Sequence, residues 1–332
     1  MGNSKMKYAI GIDVGGTKIL VALLNEDFRL VAEIKTKTKP EKGESNFLQT
    51  IRDSVRSVLK DAGVDSREVI GAGIGCPGFI QPESGFVTYS PNIPFLKGYP
   101  LAKVISKMID VPVAVGNDVQ TGLYGEHQFG AAKNYRHVIG IFLGTGIGGA
   151  LILDGKLFRG ATGSAGEFGH IQVDPNPMAP RCGCGRRGCL EAYGGRLGIS
   201  AEAAIGVARQ RAPHLASEAG ADLRRIKSGA LARAIQSGDR YIEDLIRHKA
   251  QMVGFAMANL VNIINPEIIV LGGGVVEAMP NLIVREAERA MHRQAIAALV
   301  KRVRVAPAKL KDYSIVMGAA KRAADRFGER HG

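Results

Sequence analysis

Cys182, Cys184 and Cys189 fall within eight residues, in the string Cys-Gly-Cys-Gly-Arg-Arg-Gly-Cys, and Glu167-Phe-Gly-His170 stands a short loop upstream. Three thiolates and one imidazole form a tetrahedral zinc donor set, and the intervening glycines let a short loop wrap an ion. Four protein donors leave no open coordination position, so such a zinc is structural rather than catalytic. A disulfide reading needs an oxidising compartment, yet Lys5 and Lys7 lead into an apolar run that Asp13 interrupts, unlike a secretory leader. Cys76 lies far from the other three, and an odd cluster of thiols suits a metal better than bridges. Glu167 and Glu191 flank the cluster, so the metal would fix two carboxylates as the floor of a site for a polar ligand.

Glycine supplies the second kind of chemistry. Asp13-Val-Gly-Gly-Thr-Lys18 and Leu143-Gly-Thr-Gly-Ile-Gly-Gly149 each bring backbone N–H groups close together, with Thr17 and Thr145 adding hydroxyl donors, and Gly272-Gly273-Gly274 follows Leu271. Clustered amides of this kind suit phosphate; the plainer alternative is that the glycines only make tight turns. Gly144-x-Gly146-x-x-Gly149 matches the dinucleotide fingerprint as a string, with Glu167 near the ribose-binding distance. That fingerprint must open a helix, whereas Ala150 to Leu153 followed by Asp154-Gly155 reads as a strand entering a hairpin turn. No Gly-Lys-Ser/Thr phosphate loop occurs.

These residues need elements to hold them. Tyr8 to Ile12 reads as a strand, Asp13 to Lys18 as a turn and Ile19 to Leu24 as a second strand. Phe47, Leu48, Ile51, Val55, Val58 and Leu59 share one face of a helix over Ser45 to Asp61, with Ser45 as cap and Gly63 as stop. Val69 to Ile74 and Val111 to Val115 are further strands, the latter delivering Asn117-Asp118 at its carboxyl end. The second half repeats the opening: Val138 to Leu143, a Gly/Thr turn, then Ala150 to Leu153. Helices with breaks are expected over Ala201 to Ser237, a long one over Tyr241 to Ile264, a strand over Ile268 to Leu271, and a last helix from about Ser314 to Phe327.

Composition removes several function classes. The chain has 332 residues, 45% hydrophobic, enough for two domains with proper cores. The net charge of +13 is dispersed in pairs such as Arg186-Arg187, Arg224-Arg225, Lys301-Arg302 and Lys321-Arg322. Without interleaved aromatic residues, and with no Trp, it predicts solvated helix faces and no nucleic-acid partner. Val138 to Leu153, the most apolar long stretch, is too short and too rich in Gly and Thr for a membrane span. Met1-Gly2-Asn3-Ser4-Lys5-Met6 lacks the Ser or Thr of a myristoylation signal, and a cytoplasmic enzyme without a membrane partner is expected.

Taken in order, Asp13-Val-Gly-Gly-Thr-Lys18, Leu143-Gly-Thr-Gly-Ile-Gly-Gly149, Glu167-x-Gly-His170, Cys182-x-Cys-Gly-x-x-Gly-Cys189-Leu-Glu191 and Leu271-Gly-Gly-Gly274 resemble the ROK family of sugar kinases and sugar-responsive repressors. The resemblance runs from about Lys7 to Phe327. It implies an α/β fold of the actin/hexokinase type, two ribonuclease H-like lobes with ATP and sugar in the cleft between them. The implied division is 1–118 plus a C-terminal helix over about 314–332, and 119–313 carrying the zinc loop. It implies Asp118 as the base that takes the proton of the attacking sugar hydroxyl, the alternative being that Asn117-Asp118 only caps a helix. Asp13 is implied as the Mg²⁺ partner, through water, the alternative being a salt bridge to Lys18. Gly15, Gly16, Thr17 and Lys18, with Gly144, Thr145 and Gly146, would surround the phosphates, and Gly272 and Gly273 would line the adenosine side. Asn92, Asn117, Asp118, Glu167, His170 and Glu191 would bind the sugar, His170 with one ring nitrogen on zinc and the other on a hydroxyl. Two departures are visible: Ala150 interrupts a glycine run, and the loop from His170 to Cys182 carries three prolines.

The resemblance leaves several functions open. An ATP-dependent kinase acting on the 6-hydroxyl of a hexose, glucose first, is the leading expectation, with structural zinc, Mg²⁺ with ATP, and a homodimer or homotetramer. A kinase for glucosamine or an N-acetylhexosamine carries the same zinc string. A sugar-responsive repressor would need a helix-turn-helix domain ahead of Asp13, and too few residues precede it. A binding-only module is disfavoured because Asp13 and Asp118 are both present. The positive charge would also tolerate polyphosphate as the donor.

Overall fold

The two strand–turn–strand repeats of the sequence each become the centre of a five-stranded sheet. The structure, a computed structural model, describes residues 7–328; the N-terminal hexapeptide read above for lipidation, and the end of the segment expected to reach 332, lie outside the described residues. The chain divides into two units, one of residues up to 134 with 157–165 and 312 onward, the other of 135–156 and 166–311.

In the first unit, β1 (Tyr8–Val14), β2 (Lys18–Asn25), β3 (Leu30–Lys37), β4 (Val69–Cys76), a separate hairpin of β5 (Phe79–Gln81) and β6 (Phe86–Tyr89), and β7 (Val113–Asn117) follow in sequence. The sheet order is β3-β2-β1-β4-β7, antiparallel from β1 through β3 and parallel from β1 through β7. β1, β4 and β7 are buried along almost their whole length, so they read as continuous apolar runs. β1 extends through Asp13 to Val14, which shortens the expected turn to Gly15–Thr17. α1 (Gly43–Ala62) buries Phe47, Ile51, Val55 and Val58, and Gly63 ends it in the left-handed region, φ 65°, as expected of a stop. Its start differs from expectation: a 3₁₀ turn over Pro40–Lys42 runs directly into it, so Lys42 takes the cap position and Ser45 lies inside the helix.

α2 (Leu101–Ile109) and α3 (Asp118–Phe129) complete this unit with the C-terminal helix (Ser314–Phe327). Glycines let the C-terminal helix come down onto the sheet. A Cβ at Gly11 would overlap the carbonyl oxygen of Val316, and one at Gly73 that of Ala319. Gly125 and Gly318 likewise bring α3 against the same helix. That packing is why α3 belongs with the first unit, whose boundary falls after residue 134 rather than after 118. Gly11→Ala should therefore destabilise the protein by roughly 2 kcal/mol or more, as overpacking against backbone does, seen as a lower urea midpoint with an unchanged slope.

The second sheet contains β8 (Val138–Leu143), β9 (Ile147–Leu153), β10 (Lys156–Phe158), β11 (Ile268–Gly272) and β12 (Arg304–Pro307), in the order β10-β9-β8-β11-β12. β8 is antiparallel to β9 and parallel to β11, and β11 is parallel to β12, which repeats the first sheet's order and sense. This is the duplicated ribonuclease H-like arrangement that the family resemblance implies. Asp154 and Gly155, φ 51° and 75°, turn the hairpin. The broken helical stretch resolves into α4 (Leu190–Gly194), α5 (Arg196–Ala208), α6 (Pro213–Ala219) and α7 (Ser228–Gln236). α8 (Arg240–Ile264) ends at Asn265, φ 50°, before Pro266. α9 (Gly274–Ala278), α10 (Pro280–Gln294) and α11 (Ala297–Val300) follow, and α10 approaches α8 closely at Gly254. No helix among the described residues is long and apolar enough to cross a membrane.

Candidate functional site

In the first unit, the end of β1 buries a carboxylate beside a turn of free amides. Asp13 is only 7% exposed. Burial, and then the charge of Asp118, push its carboxyl up to about 7, opposed by Lys18. Lys18 nevertheless forms its ion pair elsewhere, with Asp312 at 2.8 Å, and Lys35 holds the other oxygen of Asp312 at 3.0 Å. The salt bridge between Asp13 and Lys18, the alternative role for Asp13, is not formed. Gly15 N–H donates to Lys18 O (2.9 Å), and Thr38 Oγ1 donates to Gly15 O (2.6 Å). These bonds fix the turn while the amides of Gly16 and Thr17 take no protein partner among the described residues. Gly16 faces Asn92, an exposed residue of the connection after β6.

Asp118 opens α3, but Asn117 caps it. Asn117 Oδ1 accepts from Gln120 N–H (3.0 Å), and Asn117 Nδ2 donates to Gly78 O (3.1 Å). Asp118, half-buried in the first turn, accepts from Val119 N–H (2.9 Å), and its charge lies at the helix end that favours an anion. Gly75, on β4, gives room beside the Asp118 backbone. Cys76 next to it is fully buried, and burial with the two nearby aspartates drives its thiol far above the ordinary range, so it offers no nucleophile.

In the second unit, Gly144–Gly146 repeats the device of the first turn. Gly144 N–H donates to Gly146 O (2.9 Å), while Arg196 and Leu197 at the start of α5 donate to the carbonyls of Gly144 and Thr145. The strand that follows, Ile147–Leu153, removes the dinucleotide-fold reading of this loop. Glu191 reaches back to the loop and accepts from Ile147 N–H (2.9 Å). Any Cβ at Gly146 would overlap its carboxylate, so that glycine is needed for the contact. Glu167 has its carboxyl pushed upward by partial burial, with His170 opposing and Glu191 adding to the effect. Gly272 and Gly273 pack tightly on Phe142 and Leu143, and Gly273 sits at φ 86°, so both have a structural need for glycine apart from any ligand.

The cysteine loop is a small hairpin with its donors converging. Arg181 and Arg187 bridge across it, Cys182 N–H donates to Arg186 O (2.8 Å), and Gly185 and Gly188 take left-handed backbone, φ 89° and 73°. The donor atoms of His170, Cys182, Cys184 and Cys189 all lie within 4.8 Å of one another. Cys182 Sγ stands 3.6 Å from His170 Nδ1, and Cys184 Sγ 3.7 Å from Cys189 Sγ. A tetrahedron with Zn–S bonds near 2.3 Å has edges of about 3.8 Å, so the four donors fit zinc and all three thiols are free to bind it. Cys182 Sγ also lies 3.6 Å from Glu191 Oε1.

Three contributors escaped the sequence reading. Gln120, three residues after the cap Asn117, donates through Nε2 to Gly163 O (2.9 Å) and Ala165 O (3.3 Å), tethering the segment that leads to Glu167. Asp312 holds Lys18, and Tyr193 donates to Asp174, pinning the zinc loop to α4. Only Gln120 had a signal, its cap-plus-three spacing from Asn117.

The profile of the ROK family matches residues 9–326. A glucokinase of Halalkalibacterium halodurans is 35% identical, over 83% of this chain and 83% of its own. A ROK family glucokinase from Streptomyces griseus, solved in complex with glucose and AMPPNP, superposes with a TM-score of 0.83 at 30% identity, covering 96% of this chain and 99% of that one. A xylose repressor from Caldicellulosiruptor bescii is 29% identical, over 95% of this chain and 78% of its own.

Proposed function

The chain belongs to the ROK family, and from that premise we propose that it is a sugar kinase, transferring the γ-phosphoryl group of ATP to the 6-hydroxyl of a hexose, glucose first. The observation that carries the reading is the acidic pair of the first unit: buried Asp13 at the amide-lined turn, and Asp118 close enough to raise its pKa. A module that only senses sugar has no use for two carboxylates held against each other beside a phosphate turn. A glucokinase relative supports the substrate, although a repressor relative of similar identity means that family alone does not supply the activity.

In the first unit, Asp118 accepts the proton of the sugar hydroxyl as its oxygen attacks the γ-phosphorus, and Asn92 and Asn117 hold neighbouring hydroxyls. Gly15, Gly16, Thr17 and Lys18 would receive phosphate oxygens, and Asp13 would hold Mg²⁺, which would neutralise charge on the transferring group. Phosphoryl transfer needs little more from a protein than positioning and charge neutralisation. In the second unit, Gly144, Thr145 and Gly146 offer the matching phosphate contacts, and Gly272 and Gly273 an adenosine surface. Glu167, His170 and Glu191 offer the sugar paired hydrogen bonds. With Nδ1 of His170 turned to Cys182, Nε2 is left for a hydroxyl. His170, Cys182, Cys184 and Cys189 would hold zinc, which would lend rigidity to this group.

The test is ADP release from ATP and Mg²⁺ across glucose, mannose, fructose, glucosamine, N-acetylglucosamine and N-acetylmannosamine. Preference for glucose is the expected result. Preference for an amino or acetamido sugar would correct the substrate and keep the chemistry, while silence on all six from folded protein would overturn the kinase reading. For the metal, elemental analysis should find one zinc per chain. Cys184→Ser should lose that zinc, lower the melting temperature and raise the sugar KM; a normal KM without zinc would separate the metal from the sugar.

A further inference from the structure

Apart from the residues assigned above, the first unit holds a cavity of about 880 Å³ between the β5–β6 hairpin and residues 159–164. None of its lining residues belongs to the sugar or nucleotide sets. One wall is a closed loop: Ala165 N–H donates to Arg159 O (3.0 Å), and Gly160 and Gly163 take left-handed backbone, φ 66° and 86°. Gln120 grips this loop at Gly163 O, and a Cβ at Gly163 would press on Ile80 O and Pro82, so the loop sits firmly against the hairpin.

One polar group of this cavity lacks a partner. Arg159, which lines it, has a buried Nε with no hydrogen-bond partner among the described residues. Near it Arg322, half-buried, donates to Thr121 Oγ1 (3.0 Å), and is pushed down to about 10, first by desolvation and next by the charge of Arg159. Arg326 donates to the carbonyls of Pro82 and Glu83 at 3.1 and 2.6 Å. Of these three guanidinium groups only Arg159 lines the cavity, and Glu83 is the one carboxylate that does. Asp325, on the same helix as Arg322, is already engaged by Tyr124 and Lys321. A buried N–H donor without a partner is costly unless an acceptor meets it, and an anion meets a guanidinium best. Thr88, Thr162 and Ser164 line the same space and add hydroxyl donors, while Phe79, 41% exposed, gives it an apolar side.

We propose that this cavity is a second ligand site, which takes a small phosphate monoester with its phosphate on Arg159 and the hydroxyls of Thr162 and Ser164, and its organic part towards Phe79. A phosphate offers Arg159 and the neighbouring hydroxyls three acceptor oxygens, where a carboxylate offers two. The volume also exceeds what a free phosphate needs and falls within the range of small-molecule sites. The occupied loop leads through Gly166 to Glu167, so the ligand bears on a segment adjoining a proposed sugar contact.

This assignment is read by binding and does not rest on the kinase reading. Full-length protein is titrated calorimetrically with inorganic phosphate and with glycerol 3-phosphate, a monoester that the proposed kinase reaction does not form, as wild type, Arg159→Gln and Thr162→Val. Expected are a site that binds the ester more tightly than inorganic phosphate, at least tenfold weaker ester binding in Arg159→Gln, and a several-fold loss in Thr162→Val. Thr162→Val carries the test by itself should Arg159→Gln not fold. Equal affinity in wild type and variants, or no binding to wild type, would overturn the site. Arg159-dependent binding of inorganic phosphate with no gain from the ester would overturn the monoester assignment.

Discussion

Asp118→Asn should cut turnover by about 10²–10⁴-fold while leaving the fold and the sugar affinity nearly intact. The amide retains the size of the side chain and one acceptor, so a sugar hydroxyl still finds a hydrogen bond, but it cannot take a proton. Helix capping does not confound the result. Asn117, not Asp118, accepts from the Gln120 amide, so α3 keeps its cap in the variant. What α3 loses is the charge in its first turn, about 0.3–1 kcal/mol, a melting shift of only a few degrees. Sugar binding measured by calorimetry should stay within a few-fold of wild type, and steady-state turnover should collapse. Turnover within threefold of wild type would return Asp118 to a role in the helix start alone. The opposite split, intact turnover per bound sugar with lost affinity, would make it a sugar contact and leave the base unassigned.

The parts of this molecule that were legible in the sequence are those where one residue type has few alternatives. The glycine turns after β1 and β8 stand out because left-over amides and close backbone approach both require glycine, and the cysteine string because its spacing admits few uses. The C-terminal helix was legible as a helix, but not its seat on Gly11 and Gly73. Those glycines look like ordinary small residues in an apolar strand until Val316 and Ala319 arrive from 305 and 246 residues away in numbering. β3 was missed because it is a half-exposed edge strand in which Lys35, Lys37 and Glu33 alternate with weakly apolar positions. β5 and β6, three and four residues long, are too short for any period to register. α10 was legible in principle: Ile283, Ala287, Ala290 and Met291 share its inner face, and Ala287 and Ala290 pack close to α8 at Gly254. In the candidate site, residue types were readable and partners were not. Lys18 was expected on phosphate or on Asp13, and it is held by Asp312, which reaches it through the fold and not through the local sequence.

Asp13→Asn should abolish most turnover yet make the ligand-free protein more stable at neutral and alkaline pH. Asp13 is 7% exposed, and burial followed by the charge of Asp118 raises its carboxyl from 3.8 to about 7, with Lys18 and Lys35 opposing and Asp312 adding to the rise. Between those two values the folded chain keeps a proton that the unfolded chain has lost, so stability falls as pH rises through the window. Above it the ionised carboxylate costs the fold about 4 kcal/mol. Asparagine carries no such charge, so the variant's advantage in melting temperature should be largest at pH 8 and shrink steadily as pH falls towards 5. Mg²⁺ gives the second arm of the argument. A cation beside Asp13 offsets the buried charge, so Mg²⁺ with ADP should stabilise wild type more at pH 8 than at pH 6, and should add little to the variant. A destabilised variant at pH 8 would mean that Asp13 is held by a structural partner rather than kept, at a cost to stability, for a cation. Equal Mg²⁺ responses in the two proteins would remove Asp13 from the metal site while leaving Asp118 untouched. The site then would have to neutralise the transferring phosphoryl group through its turn amides and Lys18, with Lys18 first released from Asp312.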